Sequence, residues 1–166
     1  MKTRSIEDLF HDTLRDILYA ERKILKALPK MARAAQSAEL GAAFEKHRME
    51  TDGQIERLQQ VFELIGKRAQ GKTCPAIDGI LEEGEEVMAS FEGSPALDAG
   101  LIAAAQAVEH YEIARYRALN GWAKVLGMKE AAMLLQETLA EETATDTALV
   151  KLADGSVNKA AVSKAA

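Results

Sequence analysis

Five glutamates stand where a soluble helical protein normally places leucine. Glu21 lies four residues after Ile17 and three before Ile24, in the middle of the series Phe10, Leu14, Ile17, Ile24 and Leu28. The three-, four- and seven-residue spacing of that series is one buried helical face. By the same test Glu50 falls within Leu40, Ala43, His47, Gln54 and Leu58. Glu109 and Glu112 fall within Ile102, Ala105, Tyr116 and Leu119, and Glu142 falls within Leu135, Thr138, Thr145 and Leu149, with Asp146 one turn further on. Carboxylates gathered away from water raise one another's pKa by desolvation and repulsion, so protons, lysines or cations must neutralise them. No lysine occupies the centre of these stripes. Oxygen ligands with an imidazole or two suit iron or manganese, so a dinuclear metal site is the favoured reading. The competing reading is a protonated or hydrated polar core that only fixes helix register.

The elements that must carry these residues follow from caps and breakers. Ser5 caps a first helix running to about Ala35, and Pro29 is a candidate kink. A second helix spans Ser37 to Gly66, whose glycine suits a left-handed cap. Residues 67–94 break the pattern, because Pro75 stops a helix and Gly79 and Gly84 interrupt a short one. Ser94 and Pro95 open a third long helix to Leu126, and a fourth runs from about Lys129 to Ala153. Two short turns and one long connection predict an all-α fold, the ferritin-like four-helix bundle with a single crossover containing a short helix. The bundle is assigned residues 1–154, and residues 155–166 are read as a flexible tail. At about 1.5 Å per residue, Glu21 and Glu50 share a level on the order of 20 Å from their common turn. Glu109 and Glu142 sit at the middle of their own helices, so the carboxylates converge on the midplane.

Composition narrows the function. The chain has 166 residues, 48% of them hydrophobic, and a net charge of −5, which disfavours nucleic acid and acidic lipid as partners. No apolar run approaches a membrane span and acids enter the N-terminus early, so a soluble, cytoplasmic protein is expected. Cys74 is the single cysteine. It excludes a disulfide scaffold and a rubredoxin-type site within the chain. Gly66 to Thr73, GKRAQGKT, fits the phosphate-loop pattern letter for letter. It follows an amphipathic helix instead of a strand and runs into Pro75, so nucleotide is not an expected partner. The glutamates at positions 39, 45, 56, 63, 82, 83, 85 and 86 are read as solvated.

To about residue 153 the chain resembles the YciF-type ferritin-like family. The resemblance is carried by LYAERKILKALPKM, HRMETDGQIERL, GKTCPAIDGILEEG, AVEHYEIARY and LAEETATD. It implies a rubrerythrin-related bundle, usually a homodimer, tied to bacterial stress responses and bearing a carboxylate metal site. Ferritin-like carboxylate proteins pair two single glutamates with two Glu-x-x-His motifs. Here Gly53 and Thr145 stand where those histidines would be. Within this resemblance Glu-Thr recurs at Glu50-Thr51 and Glu142-Thr143. The expected ligand set therefore has Glu50 and Glu142 bridging or capping two metals, Glu21 and Glu109 terminal, and Glu112 added. Gln54 and Asp146 replace the histidines. His47 and His110 stay open as ligands, and Tyr19, Tyr111 and Tyr116 as donors or redox carriers. The resemblance assigns no reaction; the favoured reading of the site is a di-metal protein, iron first and manganese second, in which reduced metal ions meet oxygen or peroxide as in a di-iron oxidoreductase of ferroxidase or peroxidase type. The alternative is a non-catalytic structural or interaction protein with a vestigial metal site.

Overall fold

The structure, a computed structural model, describes residues 3–163. Four long helices form the bundle: α1 (Ile6–Ala34), α2 (Ala38–Leu64), α4 (Leu97–Val125) and α5 (Lys129–Leu152), with α3 (Pro75–Ser90) in the crossover. No strand occurs among the described residues. Ser5 caps α1 in a full capping box with Asp8. Gly66 and Gly127, at φ 64° and 72°, turn the chain after α2 and α4 in the left-handed conformation that glycine takes without strain.

Neighbouring long helices run antiparallel. Glu50 meets Thr145 while Arg57 meets Glu137, so α2 rises as α5 falls. The start of α4 meets the α1–α2 turn, where Asp98 accepts hydrogen bonds from the backbone N–H groups of Gln36 (2.8 Å) and Ser37 (2.7 Å). Consequently α2 ends at the opposite end of the bundle from where α4 begins, and the connection must travel its length. The 16-residue helix α3 covers roughly 24 Å of that path. It lies against α1 and α4, held by Tyr19 donating to Asp78 and by Lys30 paired with Glu85 at 3.0 Å.

Asp98 is buried and supplies both acceptors for the turn. Asp98→Ala should therefore cost on the order of 2 kcal/mol in urea unfolding, with Asp98→Asn in between because one carbonyl oxygen remains. Equal stability of all three proteins would remove this role.

Several boundaries differ from the sequence expectation. Pro75 begins α3 as its first residue, with Cys74 at the N-cap, and neither Gly79 nor Gly84 interrupts it. Gly84 is buried against α4, where a β-carbon would already lie 3.6 Å from that of Ala104. Helix α4 starts two residues beyond Pro95 because the Ser94 hydroxyl accepts from the Ala96 N–H and closes a turn first. Of the expected tail, residues 155–163 are helical, as a π-turn (Ala153–Val157) and α6 (Asn158–Ser163), since Val157 is buried on the bundle. Residues 164–166 lie outside the described residues.

The phosphate-loop-like string lies along α1. Its Lys72 N–H donates to the Arg15 carbonyl, the Lys72 ammonium pairs with Asp12 at 3.1 Å, and Arg15 donates to the Gln70 carbonyl. These contacts commit the segment to strapping the crossover onto the bundle.

Candidate metal centre

Each long helix sends at least one ionisable side chain into the centre. Glu21 of α1 continues the buried row Leu14, Ile17, Leu18, Ile24 and Leu28. Glu109 and Glu112 of α4 continue Leu101, Ala105, Val108, Tyr116 and Leu119, and Glu142 of α5 continues Leu135, Thr138 and Leu149. The residue from α2 is His47, within Leu40, Phe44, Thr51, Gln54 and Leu58. Glu21, Glu109, Glu112 and Glu142 are wholly buried and His47 is 2% exposed.

One donor atom from each of His47, Glu109, Glu112 and Glu142 lies within 4.8 Å of the others. His47 Nδ1 is 3.0 Å from Glu109 Oε1, and its Nε2 is 3.6 Å from Glu142 and 3.9 Å from Glu112. Glu21 adjoins the group and accepts a hydrogen bond from the buried Tyr116 hydroxyl. Beyond the close approach of His47 Nδ1 to Glu109 and the pairing of carboxyls with one another (Glu109 with Glu142, Glu21 with Glu112), no protein donor reaches the oxygens of Glu109, Glu112 and Glu142 or Glu21 Oε2; His47 Nε2 and Gln54 Oε1 are likewise buried without a hydrogen-bond partner. Buried polar groups are ordinarily satisfied, so this concentration of orphaned atoms is the unusual property of the fold.

Electrostatics follow from that burial. Desolvation pushes Glu21 up to about 7, partly offset by the Tyr116 hydrogen bond. It pushes Glu109 up to about 8, and it drives Glu112 and Glu142 well above the usual range, helped by the neighbouring carboxylates. His47 moves down to about 4, first through burial and then through the Lys46 charge. Without a cation, then, the contact between His47 and Glu109 joins neutral groups and is not an ion pair. A multivalent cation would reverse this, since it favours ionised carboxylates and a neutral imidazole ligand.

The sequence pattern of DUF892, a domain of unknown function, matches residues 5–162. The chain belongs to the DUF892 family. It is 48% identical over 166 residues to Protein YciF of Escherichia coli (strain K12), covering 99% of this chain and all of that one. The crystal structure of the E. coli stress protein YciF matches with a TM-score of 0.90 at 47% identity, over 95% of this chain and 99% of that one. YcfI from Rhodopseudomonas palustris gives 0.86 at 46% identity, over 88% and 93%. These matches bear out the family read from the sequence and the helical bundle.

In this DUF892 chain the expected site residues separate into two sets. Glu21, Glu109, Glu112 and Glu142 converge, and His47, which the sequence left open, joins them. Glu50 does not reach the centre: its side chain is 22% exposed, pairs with Lys46 and accepts from Thr145 at 3.4 Å. The reason is helical phase, because Thr51 occupies the inward position and Glu50 lies about 100° around the helix. The two Glu-Thr pairs are therefore not equivalent, since in α5 the glutamate is inward and Thr143 is exposed. Asp146 also lies at the edge, 3.2 Å from the exposed His110 and in contact with Gln106.

Gln54 is buried, but its amide is held from outside. Its Nε2 donates to Glu141, whose carboxylate is gripped by Arg57 through both guanidinium nitrogens at 2.9 and 2.6 Å. That leaves Gln54 Oε1 among the unpartnered atoms. The Arg57–Glu141 clamp has no sequence signature, because Glu141 differs from its neighbour Glu142 only in helical phase. Tyr111 bonds to Asp16 and contacts Cys74 at 3.0 Å, and Tyr19 bonds to Asp78, so both tyrosines fasten helices to the crossover.

Proposed function

We propose that the protein is a ferritin-like carboxylate metal protein of the bacterial stress response, acting in the cytoplasm as a homodimer. Iron is the first choice of metal and manganese the second. The observation that carries the reading is the set of buried, unpartnered carboxylate oxygens beside a neutral imidazole. Their donor chemistry fits: oxygen-rich ligands with one nitrogen suit iron or manganese, and the bundle core is where such sites are built. Glu21, His47, Glu109, Glu112 and Glu142 would hold the metal, with Gln54 presenting its carbonyl to the same interior. Iron bound there would supply electron transfer toward oxygen or peroxide.

The chain's own contribution is positioning. Tyr116 fixes the orientation of Glu21 by its hydrogen bond, and the Arg57–Glu141 pair fixes the Gln54 amide. Glu112, fully buried and biased by burial toward its protonated form in the metal-free protein, would release that proton as it takes up a metal ion. The surrounding apolar rows of α1 and α4 exclude bulk water.

Protein purified without chelator and reloaded anaerobically with Fe(II) should contain about two metal ions per chain, the nuclearity of related carboxylate bundles. Peroxide should then oxidise the bound Fe(II) faster than it oxidises Fe(II) in buffer. Equal rates would remove the redox part of the proposal. Absence of metal would leave a polar-cored structural or interaction protein.

A further inference from the structure

Successive contacts set the level of each α2 residue against α5. Glu50 accepts from Thr145, Gln54 donates to Glu141, and Arg57 reaches Glu137 and Thr138. Gln54 therefore lies level with the Glu141–Glu142 step, and it shares the inward row of α2 with His47 and Thr51. The two glutamates of that step diverge. Glu141 turns toward the seam, where its side chain is 25% exposed, whereas Glu142 turns into the buried group with His47, Glu109 and Glu112.

An ionised carboxylate only accepts hydrogen bonds. The nitrogen of the Gln54 amide must therefore face Glu141, at 3.1 Å, and its carbonyl must face away, where Oε1 is buried and unpartnered. Arg57 grips both oxygens of Glu141 at 2.9 and 2.6 Å and ties the fork to Glu137 at 2.9 Å, so the acceptor is itself fixed. Were the amide to turn over, its carbonyl would meet a carboxylate and its N–H groups would face the place of a cation; both contacts are repulsive. We infer that Arg57 and Glu141 are positioning residues that hold the Gln54 carbonyl toward the metal centre and so raise its affinity from outside the cage. This rests on the metal-centre reading above. A neutral oxygen also suits the charge there. Glu21, Glu109, Glu112 and Glu142, all wholly buried, carry when ionised the charge of two divalent ions, and a further carboxylate would leave buried charge unbalanced.

The test is equilibrium binding of Mn(II), read from the electron paramagnetic resonance signal of the free ion, with urea unfolding in chelator run on each variant. Gln54→Leu and Glu141→Ala should each weaken binding about tenfold or more. Combined, they should weaken it no further than Gln54→Leu alone, because Glu141 acts through the amide. Glu141→Gln should restore most of the affinity, since it loses the charge but keeps a carbonyl that accepts from Gln54. Wild-type affinity in Glu141→Ala overturns the role, as do losses that multiply in the double variant. Should Glu141→Ala fail to fold, Glu141→Gln and Gln54→Leu decide, the latter leaving the Arg57 fork in place. Equal losses in those two would make the charge of Glu141, and not its hydrogen bond, the cause and overturn the inference. A wild-type protein that takes up no Mn(II) overturns the metal centre itself and the inference with it.

Discussion

Replacing Glu109 and Glu142 together by glutamine should abolish metal uptake and raise the melting temperature of the metal-free protein. Both effects come from the same atoms. The two side chains contribute four buried oxygens whose only close partners are His47 and other carboxyls, and burying an uncompensated carboxylate is costly unless a cation or proton accompanies it. Glutamine keeps the shape, removes the ionisable group and brings N–H donors that face the orphaned oxygens of Glu112 and Glu21. At pH 8, where the wild-type carboxyls are under most pressure to ionise, the gain is on the order of 2 kcal/mol. In a chain of this length that corresponds to about 4–8 °C. Calorimetry with metal analysis checks both at once. A variant that retains metal would show that the ligands lie elsewhere. A lower melting temperature would show that the carboxyls already satisfy one another by sharing protons, the polar core that merely sets register.

This trade of stability against binding also explains how far the sequence could be read. Helix α1 was legible because its inward row is apolar except at Glu21, so a single acid on an otherwise clean face stood out. In α4 and α5 the same logic placed Glu109, Glu112 and Glu142. Helix α2 resisted, because its inward row includes His47, Thr51 and Gln54 and so resembles a solvated face. With Ala43 and Phe44 adjacent, the sequence allowed two phases, and Glu50 in place of Thr51 was the wrong one by about 100°. A functional site breaks the binary pattern from which phase is inferred, so the helix most altered by the site is the hardest to orient. The eight glutamates read as solvated are all exposed, four of them on α2 and four in the crossover helix α3. Gly79 and Gly84 looked like breakers in α3, yet a glycine costs a helix only about 1 kcal/mol.

The metal-free protein should lose stability as pH rises from 6.5 to 8, and the metal-loaded protein should not. Glu21 and Glu109 have folded pKa values raised from 4.5 to about 7 and about 8, chiefly by burial. Between the unfolded and folded values the native state binds protons that the unfolded chain has released. Their contribution is therefore fullest below 4.5 and is lost as pH rises through 7 to 8. His47 acts in the opposite sense. Its value falls from 6.5 to about 4, so its contribution is present above 6.5 and lost as pH falls through 4. Below 6.5 the two trends oppose each other; above it the histidine is neutral in both states and the glutamates act alone. That makes 6.5 to 8 the diagnostic window for thermal unfolding in the presence of chelator. With metal bound the carboxylates are ionised in the native state throughout, their proton linkage disappears, and the melting temperature should stay level or rise, because ligand deprotonation no longer competes with binding. A chelated protein whose stability is flat across the window would mean that its central carboxyls are not forced toward protonation, and the electrostatic case for a cation at the bundle's midplane would fall with it.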